Sequence, residues 1–153
     1  NEIWEEKDAL LERLKAAERE NNGQQEKSLL DGVSTGLPAL NQAQEYQGRA
    51  ARVGFDWPDL GGVLEKLAEE IGELQRATDA EQRAAELGDV LFSLVNLARR
   101  LDVDAESALR QTNTKFRQRF SYIERAAKTQ GRELKEMSLA ELDALWDEAK
   151  LQP

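Results

Sequence analysis

Two carboxylate strings, Glu69-Glu70-Ile71-Gly72-Glu73 and Glu86-Leu87-Gly88-Asp89, carry the clearest chemistry in this sequence. Each holds a pair of acids three residues apart, Glu70/Glu73 and Glu86/Asp89, a spacing that brings both side chains onto one face of a helix. Two such helices side by side would gather four carboxylates around a common point. Like charges gather only where they face solvent, take up protons or hold a cation. A hard divalent ion among oxygen ligands resolves the conflict.

The sequence contains no histidine and no cysteine. That removes thiol chemistry, disulfides, the usual zinc sites and imidazole catalysis. A metal must then be held by oxygen, which favours Mg²⁺, Mn²⁺ or Ca²⁺. The Glu-x-x-His ligands of a ferritin-like di-iron site cannot be built. With 30 acidic against 21 basic residues the net charge is −9, which speaks against a nucleic-acid surface and against docking on anionic lipid. An acidic protein that handles an anionic substrate needs cations between them. No apolar run reaches the length of a membrane span and no signal-peptide pattern occurs, so a cytoplasmic location is expected. The first residue is Asn1 rather than Met, which suggests a fragment or processed product.

The elements that must position these acids read as helices throughout. Residues 2–20, with Ile3, Trp4, Leu10, Leu11 and Leu14, form a sparse amphipathic helix that needs a partner. Residues 21–36 are rich in Gly, Asn, Gln and Ser and read as a linker. Pro38 opens a second helix and Pro58 a third, on which Leu60, Leu64, Leu67, Ile71 and Leu74 form one apolar stripe. Thr78 with Glu81 is a capping-box signature for a fourth helix with a broad face of Leu87, Val90, Leu91, Leu94 and Leu97. Asp104 is placed to cap a long fifth helix that Gly131 ends, and Ser138 with Glu141 opens a short last one. No segment alternates with period two, so no sheet is expected. The prediction is an all-α chain: a four-helix core with terminal appendage helices. The wide apolar faces of the third and fourth helices predict a homodimer.

At about 100° per residue, Glu70 and Glu73 fall at the edge of the third helix's apolar stripe. Glu86, Asp89, Ser93 and Asn96 share one polar strip on the fourth. Gly72 and Gly88, costly inside helices, suggest that something approaches the backbone there. On the fifth helix Lys115 and Arg119 share a face at i,i+4, with Asn113 nearby. Metal on some oxygens and Lys or Arg on others is what a polyphosphate requires. Trp146 and Lys150, one turn apart, could stack on a base and touch a phosphate. Solvated acids, an ion-pair network with Lys66, Arg76 and Arg83, and a core tryptophan are the plainer readings of the same residues.

Together these motifs resemble the MazG family of nucleoside triphosphate pyrophosphohydrolases. The likeness rests on EExxE followed by ExxD, on Asn113-x-Lys115-Phe116-x-x-Arg119-Phe120, and on Trp146-x-x-x-Lys150. Upstream, Gly36-Leu37-Pro38-Ala39-Leu40…Ala43-Gln44 and Val53-Gly54-Phe55-Asp56-Trp57 resemble the C-terminal domain of that family. The resemblance covers about residues 34–150. It sets an expected domain at 34–153 after an N-terminal helix and linker at 1–33, as in the second half of a tandem protein. It implies a dimeric helical fold that uses Mg²⁺, with Mn²⁺ a substitute, to cleave NTPs to NMP and pyrophosphate. Carried onto this sequence, it makes Glu70, Glu73, Glu86 and Asp89 the metal ligands. Glu69 becomes a candidate for a second metal or for orienting the attacking water. Lys115 and Arg119 become the triphosphate contacts with Asn113 beside them, and Trp146 and Lys150 lie near the nucleotide. Two alternatives stay open: an enzyme narrow for dUTP or a damaged nucleotide, and a non-catalytic, metal-binding dimerisation or regulatory domain.

Overall fold

The computed structural model describes residues 2–22 and 28–153, except the side chains at 2, 4 and 19–22. The Trp4 indole and the middle of the expected linker, 23–27, lie outside the described residues. Everything described is helix, turn or coil: α1 (Glu2–Asn22), α2 (Ala39–Arg52), α3 (Leu60–Arg76), α4 (Ala80–Arg100), α5 (Ala105–Thr129), a 3₁₀ turn at Leu134–Glu136, and α6 (Leu139–Lys150). Among the described residues no helix is long and apolar enough to cross a membrane. The chain divides into two compact units, Asn1–Glu106 and Ser107–Pro153, so that α5 spans the division. The chain is all-helical, as the periodicity predicts, with α1 to α4 in the first unit and most of α5 with α6 in the second.

In the first unit α4 packs against both α3 and α2. Asp59 caps α3 through a bond from the Gly62 N–H to its Oδ1, 2.8 Å. The short stretch from Ala77 to Asp79 then turns the chain into α4. Its cap is Asp79, which accepts from the Gln82 N–H at 2.8 Å, and not Thr78. The Thr78 N–H instead donates to the Gln82 side chain. Asp79 has the extended backbone an N-cap needs, and a carboxylate at a helix N-terminus also gains from the helix dipole.

Polar ties fasten the remaining pieces. Gln47 Nε2 donates to the Phe92 carbonyl of α4 at 2.9 Å. Gln44 bridges the junction of α4 and α5, donating to Val103 O and accepting from the Ala105 N–H. Buried Arg49 donates to the Leu29 and Asp31 carbonyls at 2.9 and 2.6 Å and to Glu45 at 3.1 Å. Lys15 of α1 reaches the same Glu45 at 3.3 Å. Burial alone would raise the Glu45 carboxyl, but these two cations hold it below its ordinary value.

The predicted apolar stripes are only partly covered. Val63, Val90 and Val95 are buried, whereas Leu60, Leu64 and Ile71 on α3 and Leu87, Leu91 and Leu94 on α4 are each between 41% and 48% exposed. A helix with apolar residues around much of its girth can bury only the side that meets a neighbour.

The second unit has its own core of Ile123, Ala127, Met137 and Leu145, with Leu142 and Trp146 packed against it. Gly131, at φ 67°, makes the left-handed turn out of α5 that a side chain would resist. Ser138 and Glu141 form the capping box the sequence predicts.

Candidate functional site

Packing α3 on α4 brings together Glu70, Glu73 and Glu86. One oxygen from each lies within 4.8 Å of the others. Glu70 follows Val63 by two turns on the line of α3 that faces inward, and it is only 5% exposed. Its Oε1 accepts from Lys66 Nζ at 2.7 Å, while its Oε2 is buried with no hydrogen-bond partner among the described residues. Oε2 of Glu86 is buried and unpartnered as well.

This arrangement strains the charge balance. The negative charge of Glu70, then partial burial and the nearby Glu86, push the Glu73 carboxyl above its ordinary range. The hydrogen bond to Glu70 pushes the Lys66 ammonium up, so it stays charged beside the acids. One lysine against three carboxylates leaves two buried oxygens without a donor. Hard oxygen donors, net negative and incompletely satisfied, are what a divalent cation takes as ligands. The residues therefore fit a divalent metal.

The other predicted members fall differently. Glu69 is exposed, with Lys66 Nζ at 3.8 Å from its carboxylate. Asp89 stands one turn beyond Glu86 on α4, exposed and outside the group of three. Arg76 and Arg83 take no part in the Lys66 ion pairs. Neither glycine meets an approaching backbone: a methyl group on Gly88 would touch nothing, and on Gly72 only the guanidinium of Arg76 in the same helix. Among the described residues no contact requires glycine at either position.

In the second unit Lys115, Arg119 and Lys150 line a polar cavity of about 290 Å³, joined by Gln118, Tyr122 and Arg125. Lys115, Arg119 and Tyr122 follow at i, i+4 and i+7, so the helical period alone could have added Tyr122. Arg125 had no such motif to announce it. A pocket with four cationic residues is suited to an anion. Asn113 is exposed on α5 and not in its wall. Trp146 is engaged within its own unit: its ring lies 5.5 Å from that of Phe116, and the Arg119 guanidinium covers it at 5.5 Å.

Residues 61–123 match the MazG nucleotide pyrophosphohydrolase domain. The chain is 42% identical, over 139 residues, to the nucleoside triphosphate pyrophosphohydrolase/pyrophosphatase MazG of Thermotoga maritima, a match covering 91% of this chain and 53% of that protein. It is 41% identical over 149 residues to a nucleoside triphosphate pyrophosphohydrolase of Escherichia coli K12, covering 94% of this chain and 56% of the relative. An uncharacterized Bacillus subtilis protein, YabN, is 46% identical over 97% of this chain and 31% of its own length. The chain spans about half the length of the first two of these relatives. The three clustered glutamates lie within the matched domain.

Proposed function

We propose that this chain, which matches the MazG nucleotide pyrophosphohydrolase domain over residues 61–123 and is 41–42% identical to two nucleoside triphosphate pyrophosphohydrolases, hydrolyses nucleoside triphosphates to the monophosphate and pyrophosphate with Mg²⁺. The observation that carries this reading is the trio Glu70, Glu73 and Glu86, with two buried oxygens lacking a donor. These three would hold the ion, and Asp89, one turn along α4, would join them from its exposed rotamers. When bound, Mg²⁺ or its substitute Mn²⁺ supplies charge neutralisation for phosphate oxygens and a lowered pKa for a nearby water.

The chain's own groups supply the rest. Glu69, exposed beside the trio, takes the proton of the attacking water, since no histidine is present for that task. In the second unit, Lys115, Arg119 and Lys150 would supply donors to phosphate oxygens from their own cavity, with Asn113 outside its wall. The exposed leucines of α3 and α4 support a homodimer, because a second copy would cover them.

Incubation with several NTPs and Mg²⁺, with products separated by ion exchange, tests the assignment. NMP and pyrophosphate in equal amounts are expected. NDP with orthophosphate would overturn it. Metal binding with no nucleotide turnover would favour a structural metal domain instead.

A further inference from the structure

The polar cavity of the second unit is cationic in a chain where acids outnumber bases by 30 to 21. Most cations of such a chain can find a carboxylate. Lys115, Arg119 and Arg125 in this wall nevertheless form no ion pair among the described residues. Lys150 has Asp147 of its own helix, at 3.8 Å. No acidic side chain of the described residues lines the cavity.

Glu148 is the acid placed to answer these cations. It lies on α6 next to Ala149 and Lys150, both of which line the wall, while Glu148 itself does not. Its Oε2 instead accepts from the Tyr122 hydroxyl at 3.1 Å. Tyr122 is a wall residue of α5, with Arg119 and Arg125 three residues to either side. That spacing puts both guanidinium groups on the same face of the helix as the phenol. They are within reach of a carboxylate that already touches it.

Little else restrains Glu148. Leu145 and Ala149 are buried, which fixes the rotation of α6, so the carboxylate changes place only by its own side-chain torsions. The side chain is exposed, so those torsions meet no packing. An arginine would offer it a bidentate pair. The phenol, for its part, is a constant donor. The hydrogen bond to Glu148, then burial, push it above its ordinary value against the pull of Arg125, so it keeps its proton at neutral pH.

We propose that Tyr122 is a positioning residue for this cavity, its hydroxyl holding the Glu148 carboxylate aside so that the wall stays cationic for a polyphosphate. The proposal deepens the reading above and rests on it for the class of ligand. Without the hydroxyl, Glu148 pairs with Arg119 or Arg125 and competes with phosphate oxygens for the same donors. Phenylalanine at this position keeps the ring and removes that hold alone.

Calorimetric titration with inorganic tripolyphosphate, in metal-free buffer, reads the cavity apart from base recognition and turnover. Tyr122→Phe is expected to bind about fivefold more weakly, the scale of an exposed ion pair. Glu148→Gln should bind at least as tightly as the unaltered chain, and Glu148→Gln added to Tyr122→Phe should restore the unaltered affinity. A merely structural role for the hydroxyl would give no such rescue. Should Tyr122→Phe fail to fold, as judged by circular dichroism, Tyr122→Leu with and without Glu148→Gln decides in its place.

Unchanged affinity in Tyr122→Phe overturns the proposal. So does a double variant as weak as Tyr122→Phe, which would mean that the hydroxyl touches the anion directly. Absence of tripolyphosphate binding by the unaltered chain at millimolar concentration overturns it as well. The expected pattern in a chain that turns over no NTP would leave the role of Tyr122 standing and sink the pyrophosphohydrolase reading. NTP turnover with a tripolyphosphate affinity indifferent to Tyr122 would do the reverse.

Discussion

Lys66 Nζ lies 2.7 Å from Oε1 of Glu70, and the other oxygen of the same carboxylate is buried without a partner. One side of Glu70 is therefore answered by the protein and the other is left for a ligand. Lys66 partly offsets the three clustered acids in the metal-free chain and becomes a like charge beside any cation that arrives.

Removing that charge should separate the two roles. In Lys66→Met the divalent affinity, read by calorimetry with Mg²⁺ or Mn²⁺, is expected to rise about fivefold, a small fraction of the unscreened interaction at such distances. The melting temperature in EDTA should fall at the same time. Unchanged affinity would mean that the lysine does not compete with the ion.

Glu73→Gln keeps the size of the side chain and removes one carboxylate from the trio. Turnover should drop by about 100-fold or more, as expected for a lost ligand rather than a lost outer contact. In EDTA the variant should melt no lower than the unaltered chain, because the repulsion that pushes the Glu73 carboxyl up is gone. Full activity would exclude Glu73 from the site.

Arg49→Met tests the frame that carries α2. The substitution takes the guanidinium away from the Leu29 and Asp31 carbonyls and from Glu45, which keeps its pairing with Lys15. Breaking a buried pair of this kind costs about 3 kcal/mol or more, to be read as a lower urea midpoint with an unchanged slope. A loss near zero would mean that water replaces the guanidinium.

Acid should loosen the second unit through Glu141. The Arg132 guanidinium, then the Ser138 N–H, hold its carboxyl down to about 2, from an ordinary value of 4.5. A depressed folded pKa gives stability that is present above the unfolded value and is lost as pH falls toward the folded one. The melting temperature should fall more steeply between about pH 4.5 and 2 than in Glu141→Gln. Parallel pH profiles for the two chains would dismiss the pairing.

Much of the local structure was legible in the residues. The Ser138/Glu141 box, the stop at Gly131 and the helical spans depend on neighbours within a turn, and the structure reproduces them. Legibility failed where two local solutions competed. Thr78 and Asp79 can both cap α4, and in the fold it is Asp79, with extended backbone, that accepts from the Gln82 N–H. It failed again at Gly72 and Gly88, where helix cost suggested a close approach and the structure has none. Gln47 gave no signal, since its burial depends on α2 meeting α4.

The sequence by itself determined the chemistry on offer. Acids three residues apart on helices, no histidine, and cations four apart on α5 are properties of chain order and the helical period. The tertiary structure decided which of them lie together. Glu70, Glu73 and Glu86 converge while Asp89 and Glu69 stay exposed, and Trp146 turns into its own unit's packing. The reason is that rotation of a helix about its axis is set by non-local contacts, which periodicity along one chain does not contain.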